Sequence, residues 1–211
     1  MKQMKPKQPK VHLGANPQID QGVLLGYLSP RKLKDTSLTI GDNPLIRSGS
    51  VIYAGTSIGA NLQTGHNVII REENTIGDDF CIWSNSIIDY GCKIGNRVRI
   101  HSNVYVPQFT EMEDEVFVAP GATFANDPHP GCSHSQECMR GPLLKKGCQI
   151  GVNVTILPFV TIGEGAVIGS AAVIVKDVPP RSVVVGNPGT VICTDSAELK
   201  CSRDLTDYPY K

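Results

Sequence analysis

Residues 76–100 read IGDDFCIWSNSIIDYGCKIGNRVRI, and an isoleucine returns in them at every sixth position. The same spacing runs without a gap through residues 40–124, where Thr64 is the one member of the series that is not apolar. It returns, shifted by two positions, in residues 150–174. A six-residue period fits neither a helix, which repeats every ~3.6 residues, nor a simple alternating strand.

A period of six residues is typical of a parallel β-helix, in which each hexad forms one short strand and one corner, and three hexads close a triangular coil. The repeated aliphatic residue points inward, and the corner needs a small side chain or a positive φ, which Gly and Asn supply. A sandwich of short strands would place turns every ~8–12 residues and does not explain the period. The sequence therefore predicts an all-β fold, a parallel β-helix of about seven triangular coils.

Length and charge exclude several function classes. The 211 residues suit one domain, and 20 basic and 20 acidic residues cancel, so we expect no nucleic-acid partner. No apolar run is long enough for a membrane span, and no apolar segment follows the lysines of residues 1–10, so we expect neither a membrane anchor nor a secretory signal. Cysteines inside the repeats (Cys81, Cys92 and Cys148) are interpreted as packing residues, which favours the cytoplasm.

The period also divides the chain. Residues 1–37 lie outside it and are predicted to form an N-terminal tail and a cap that covers the open strand edges. Residues 38–189 form the β-helix domain, with an extended loop at 130–149. Excursions of this length are usually functional. Residues 190–211, which include Leu199 and Leu205, are predicted to form a C-terminal arm.

Two further segments carry a family resemblance. Residues 162–173 read IGEGAVIGSAAV and are followed by KDVPP at 176–180 and GNP at 186–188. This string resembles the hexapeptide-repeat acyltransferases, whose fold is a left-handed parallel β-helix and in which the string accompanies binding of an acyl-coenzyme A. Residues 124–130 read FANDPHP, which resembles the N-acyltransferases that act on nucleotide-linked amino sugars.

The resemblance implies direct transfer of an acyl group, most simply acetyl, from coenzyme A to the amine of a dTDP- or UDP-linked amino sugar. It also implies a homotrimer, with clefts between adjacent prisms. Two alternatives stay open. One is an O-acetyltransferase of a sugar or small alcohol, and the other is a β-helix without enzymatic activity.

Coenzyme contacts follow from the resemblance and from residue type. Small corner residues would let backbone amides approach the pantetheine, Lys176 and Arg181 are suited to phosphates, and Pro188 resembles the position that packs near the adenine. The small residues are Gly151, Gly169, Ser170 and Ala171.

Three corner residues are candidates for the base that accepts the amine proton. His101 follows an inward isoleucine eighteen residues after Trp83, so these two side chains should share a corner one coil apart, with Asn103 nearby pointing outward. Trp83 and Asn103 are candidates for substrate binding. Asp89 and Glu113 occupy corners on different edges of one prism and could meet across a cleft between neighbours. The alternative is that all are ordinary solvated corner residues.

The predicted loop adds its own candidates. Asn126 and Asp127 resemble the substrate-proximal motif of the amino-sugar enzymes, and His129 could accept a proton. The same residues could instead staple the loop, since Asn and Asp before Pro are common turn formers. His129 also begins a set with Cys132, His134 and Cys138 whose spacing could bind zinc, but it lacks a tandem ligand pattern. We expect no metal there, so the two cysteines are a disulfide or free thiols.

Overall fold

The computed structural model describes residues 9–198, and its strands form three sheets that make the flat faces of a prism. The first sheet contains β1 (Lys10–Leu13), β4 (Ser37–Ile40), β7 (Ser57–Ile58), β10 (Thr75–Ile76), β13 (Lys93–Ile94), β16 (Glu111–Met112), β19 (Leu143–Leu144) and β22 (Thr161–Ile162). The second contains β2 (Gln18–Ile19), β5 (Leu45–Ile46), β8 (Gln63–Thr64), β11 (Cys81–Ile82), β14 (Arg99–Ile100), β17 (Phe117–Val118), β20 (Gln149–Ile150), β23 (Val167–Ile168), β25 (Val183–Val185) and β26 (Thr190–Cys193). The third contains β3 (Leu24–Tyr27), β6 (Val51–Tyr53), β9 (Ile69–Ile70), β12 (Ile87–Ile88), β15 (Tyr105–Val106), β18 (Thr123–Phe124), β21 (Thr155–Ile156) and β24 (Val173–Ile174).

Each turn of the chain contributes one strand to every sheet, and neighbouring strands from β1 to β25 pair in parallel. The second residue of each short strand points inward, so Ile76 pairs with Ile58 on one side and with Ile94 on the other. These side chains stack into buried ladders that form one continuous core. Burial of each isoleucine contributes roughly 1.5–3 kcal/mol, which explains why the sequence keeps the six-residue spacing.

Strands β4 to β24 make the seven coils that the hexads predict. The segment predicted as a cap contains a further coil, because β1, β2 and β3 pair in parallel with β4, β5 and β6. All residues of β1 and β2 are exposed, and in β3 only Gly26 is buried. At the other end, β26 pairs antiparallel with β25 and is followed by a 3-10 helix at Ser196–Glu198. Leu199, Leu205 and residues 1–8 lie outside the described residues.

The corner requirement is divided between two positions. Directly after the inward aliphatic, Gly77 has no room for a side chain, since a Cβ there would lie 2.9 Å from the Gly95 carbonyl carbon of the next coil. Two residues later Asp79 has φ +57°, and this second position is often Asn. Stacked polar side chains link successive coils there, as where Asn61 Nδ2 donates to Asp79 Oδ1 at 2.8 Å.

The excursion from the prism differs in extent from the predicted 130–149. It lies between β18 and β19, at residues 125–142, and contains the short helix α1 (Ser135–Cys138). Leu144 is already fully buried and its strand pairs with β16 and β22. The six-residue repeat therefore resumes at Leu144, one strand before Ile150, because a leucine fills the same inward position.

Candidate functional site

The three corner candidates lie on three different edges of the prism. Glu113 follows a strand of the first sheet, His101 follows one of the second, and Asp89 follows one of the third. We call these the first, second and third edges. As predicted, Asp89 and Glu113 are on different edges, so a single chain does not bring the candidates together.

On the second edge, aromatic rings stack along the prism. The Trp83 indole and the His101 imidazole are nearly parallel, with ring centroids 5.0 Å apart and an interplanar angle of 9°. Phe117 meets the other side of His101 edge-on at 5.4 Å. The spacing of eighteen residues thus predicted the Trp83–His101 pair correctly, while Phe117 comes from the outward position of the next strand. Asn103 is exposed, with φ +60°.

On the third edge, Asp89 is the centre of a hydrogen-bond network. Its carboxylate accepts bonds from Gln108 Nε2 at 2.6 Å and from the Tyr105 hydroxyl at 3.0 Å, and it pairs with Arg71 at 3.1 Å. Burial first, and then the Asp89 charge, raise the pKa of Tyr105 to about 12. The alternative of an ordinary solvated corner residue is wrong for Asp89, which is 6% exposed, because neighbouring coils cover it with these donors.

The loop is joined to this network through Asn126. Its side-chain amide donates to Gln108 Oε1 at 2.6 Å, so Gln108 bridges Asp89 and Asn126. Asp127 instead accepts bonds from the His129 backbone amide at 2.8 Å and from the Ser135 hydroxyl. These bonds, the hydroxyl first, lower the pKa of Asp127. Asp127 therefore staples the loop in this conformation, and the His129 ring is exposed.

A buried carboxylate beside this network was missed by the sequence analysis. The Glu72 side chain is fully buried and accepts bonds from Ser29 Oγ at 2.8 Å and from Arg31 at 3.2 Å, while Arg71 pairs with it at 3.1 Å. Burial raises the pKa of Glu72, but bonds from its own backbone amide, Ser29 and Arg31, together with the charge of Arg71, lower it overall. Arg31 also lies 3.6 Å from the centre of the Tyr90 ring.

We refer to Arg31, Arg71, Glu72, Asp89, Gln108 and Asn126 as the third-edge network. Its long-range pairs come from strands and connections that only the coiling brings together. The sequence signal was weak: a charged residue, Arg71, stands in the corner position where Gly is common, and Glu72 follows it directly.

On the first edge, Glu113 is partly exposed and forms an ion pair with one lysine. Lys145 Nζ donates to it at 2.7 Å and the Lys146 backbone amide at 3.0 Å. These two bonds, in that order, lower the pKa of Glu113. Glu113 and Lys145 line a cavity of about 520 Å³ together with Gly163, Glu164, Asp177 and the prolines of the KDVPP string.

The residues expected to contact coenzyme A differ in their exposure and in the contacts that they already make. Gly151 and Gly169 lie where coils approach closely: a Cβ on Gly151 would be 2.6 Å from the Ile168 carbonyl oxygen, and one on Gly169 2.7 Å from a Val185 methyl. Ser170, Ala171 and Pro188 are exposed. Exposed Lys176 lines a cavity of about 290 Å³. Arg181, by contrast, donates to Asp195 at 2.6 Å, so its guanidinium is already paired.

Within residues 9–198, no group of three or more His, Cys, Asp or Glu side chains is placed to hold a metal ion. In the loop, Cys132 and Cys138 are exposed free thiols, and His134 lies 3.5 Å from Glu137. The same stretch of chain contains no helix with the length and apolar character needed to cross a bilayer.

Residues 75–108 and 141–176 match the family model described as bacterial transferase hexapeptide (six repeats). A candidate acetyltransferase of Staphylococcus aureus (strain COL) is 48% identical over 61 residues, which are 29% of this chain and 30% of that protein. The serine acetyltransferase of Bacillus pumilus (strain SAFR-032) is 33% identical over 99 residues, 47% of this chain and 43% of the enzyme. The chain thus spans less than half the length of these relatives.

The crystal structure of the polySia-specific acetyltransferase NeuO is similar over nearly the whole chain. It superposes with a TM-score of 0.50 at 20% identity, over 95% of this chain and 92% of that one. Together with the three parallel sheets and the repeat match, this confirms the left-handed parallel β-helix predicted from the sequence.

Proposed function

We propose that this chain, a hexapeptide-repeat protein, is an acyl-coenzyme A-dependent N-acyltransferase that acetylates the amine of a nucleotide-linked amino sugar. The repeat match and the acetyltransferase relatives support acyl transfer. The observation that carries the choice of acceptor is the Asn126 loop, whose amide is fixed through Gln108 to Asp89. A polar loop fixed in this way can hold the hydroxyl and amine groups of a sugar.

In the proposed reaction, the amine nitrogen attacks the thioester carbonyl carbon, the carbon–sulfur bond breaks, and coenzyme A leaves as the thiolate. One amine proton passes to a base. Alignment of the reactants can supply ~7–11 kcal/mol of the barrier reduction, and a positioned base roughly 3–5 kcal/mol. Binding geometry therefore accounts for most of the rate.

His101 is the best base among the four candidates. Its ring makes no hydrogen bond to any of the residues that the structure describes, and stacking fixes its orientation. The carboxylate of Asp89 is already occupied by several donors, and the lowered pKa of Glu113 makes that group a weaker base. We assign Asp89 to positioning Gln108 and Asn126. His129 is the second candidate base, since its ring is exposed on the loop.

His101 and the Asn126 loop lie on different edges of one prism. A site that uses both needs a neighbouring copy, which supports a homotrimer with three clefts. The proposed coenzyme site lies along the last coils, with Gly151, Gly169, Ser170 and Ala171 against the pantetheine, Lys176 and Arg181 at phosphates, and Pro188 near the adenine. Arg181 would have to exchange Asp195 for a phosphate. We propose a cytoplasmic location, where acetyl-coenzyme A is available.

The test measures free thiol released from acetyl-coenzyme A in the presence of dTDP- and UDP-linked amino sugars, each paired with the hydroxyl analogue that lacks the amine. We expect thiol release with at least one amine and little with its analogue. His101→Ala should lower kcat by about 10²–10⁴-fold if the residue is the base. Arg99→Ala, an exposed change in β14 just before the His101 corner, is the control for folding.

Release with hydroxyl acceptors alone would contradict the proposal and favour an O-acetyltransferase, which the similarity to a serine acetyltransferase also supports. Absence of coenzyme A binding would favour a β-helix without enzymatic activity.

A further inference from the structure

A cavity of about 320 Å³ opens on the second edge, four coils before the Gly151 corner of the proposed coenzyme site. Of the roles assigned above, only substrate binding by Trp83 involves its lining. Its lining includes Arg47, Gly65, His66 and the Trp83 indole. The cavity interrupts a column of corner side chains, each directly after an inward residue of the second sheet.

Strand pairing sets the order of that column. Ile19 pairs with Ile46, Thr64 with Ile82, and Ile82 with Ile100. The residues that follow are, in order along the prism, Asp20, Arg47, Gly65, Trp83 and His101. We call them the second-edge column.

Side chains of the second-edge column touch on both sides of Gly65. Asp20 pairs with Arg47 at 3.5 Å, and Trp83 stacks on His101 at 5.0 Å. At Gly65 the column has no side chain, and a Cβ there would lie 2.4 Å from the Ser84 backbone nitrogen. Close approach of the coils therefore keeps this place empty.

The spacing of the strands leaves room for one flat ring between Arg47 and Trp83. Strands are ~4.8 Å apart, so Arg47 and Trp83 start about two strand spacings apart. A ring between them would lie at about the separation already seen between Trp83 and His101. One face would stack on an indole and the other would meet a guanidinium, an arrangement that favours electron-rich aromatic rings.

Two side chains of the cavity lining, Trp83 and His66, carry ring nitrogens that can form hydrogen bonds. Trp83 Nε1 has no acceptor among residues 9–198, and His66 uses Nδ1 with Ser48 Oγ at 2.9 Å, which leaves its Nε2 for another group. Such groups suit a ring with polar atoms on its edge. The chemistry matches a nucleobase better than a phenyl ring or a sugar.

We propose that this gap is a stacking subsite for the base of the acceptor nucleotide, a pyrimidine held between Trp83 and Arg47. The assignment of the base to the acceptor rests on the proposed function. The nucleotide base would then lie two strands from His101 on the same edge. The base would anchor the acceptor, and the attached sugar would extend along the prism toward the His101 imidazole.

Trp83 is the only tryptophan of the chain, so its fluorescence reports on the subsite directly. We would titrate the protein, without any acyl donor, with uridine and thymidine 5′-monophosphates, with adenosine 3′,5′-bisphosphate to represent the coenzyme, and with ribose 5-phosphate, which has no ring. Saturable quenching by the pyrimidine nucleotides and none by ribose 5-phosphate is expected.

Two variants test the geometry. Arg47→Ala should weaken pyrimidine binding, while Arg99→Ala, an exposed arginine on the same sheet outside the cavity, should not. Trp83→Leu, followed by equilibrium dialysis, should weaken binding about tenfold or more, since stacking of a base contributes on that order.

Equal quenching by ribose 5-phosphate, quenching by the adenosine compound alone, or equal effects of the two arginine variants would overturn the proposal. The titration contains no acyl donor, so its result does not depend on the thiol-release assay. Quenching by pyrimidine nucleotides together with no thiol release in that assay would contradict only the proposed function. Turnover of an amino-sugar nucleotide without pyrimidine quenching would contradict only the subsite.

Discussion

At the residue scale, the environment of a side chain decides between roles that its chemical type leaves open. Asp89 and Glu113 both occupy corner positions, but Asp89 is buried under Gln108, Tyr105 and Arg71 while Glu113 has one partly exposed lysine partner. Removing a charge from a buried acceptor leaves its donors unsatisfied, whereas an exposed pair can be replaced by water.

Asp89→Asn should therefore lower the free energy of unfolding by about 1–3 kcal/mol and also lower kcat, because Gln108 and Asn126 lose their fixed orientation. Glu113→Gln, the matched loss of a carboxylate charge, should cost no more than about 1 kcal/mol. Urea unfolding of both variants measures the difference, and equal losses would contradict the burial of Asp89.

At the element scale, a strand of two residues has one inward and one outward side chain. In β12, Ile88 is fully buried in the core while Ile87 lies on the outer face and is half-buried. The pair compares the same residue type in adjacent positions of one strand.

Ile88→Ala should reduce the free energy of unfolding by about 2–5 kcal/mol, since it removes buried atoms and leaves a cavity. Ile87→Ala should cost clearly less at the same protein concentration. Urea midpoints measured at two concentrations reveal whether Ile87 also supports association. Equal costs that do not depend on concentration would show that β12 has a different register.

At the scale of the whole molecule, the third-edge network joins coils that lie far apart in the sequence. Arg31 leaves the connection before β4 to reach Glu72, and the Asn126 loop reaches Gln108. These contacts link the first coils to the loop along one edge, so the acid sensitivity of the protein should depend on them.

The pKa of Glu72 is lowered from the ordinary value of 4.5. A carboxyl with a lower pKa in the folded than in the unfolded state stabilises the fold above the unfolded pKa, and this contribution is lost as the pH falls through the folded pKa. Glu72→Gln should therefore cost about 1–3 kcal/mol at neutral pH, and the difference from the unmodified protein should shrink below pH ~4.5.

Urea unfolding at neutral and acidic pH measures this effect. Glu111→Gln is the matched control, because its pair with Lys93 is exposed and should contribute less than about 1 kcal/mol. A cost for Glu72→Gln that is the same at both pH values would contradict the linkage.

The proposed trimer makes a second prediction at this scale. Sedimentation equilibrium should give a mass three times that of the 22.7 kDa chain. Mixing His101→Ala with Asn126→Ala chains should restore some activity in mixed trimers if one cleft uses both residues from different copies. A monomeric, fully active protein would contradict the shared cleft.

The six-residue spacing was enough to predict the coil, because an inward residue at every sixth position is a local requirement repeated along the chain. It also determined the Trp83–His101 pair, since residues eighteen apart meet wherever such coils stack. The burial of Asp89, the contact of Glu72 with Arg31 and the open gap at Gly65 became visible only in the folded chain. These features depend on which long side chains reach across coils and on where backbones approach closely. The six-residue repeat contains no information about either.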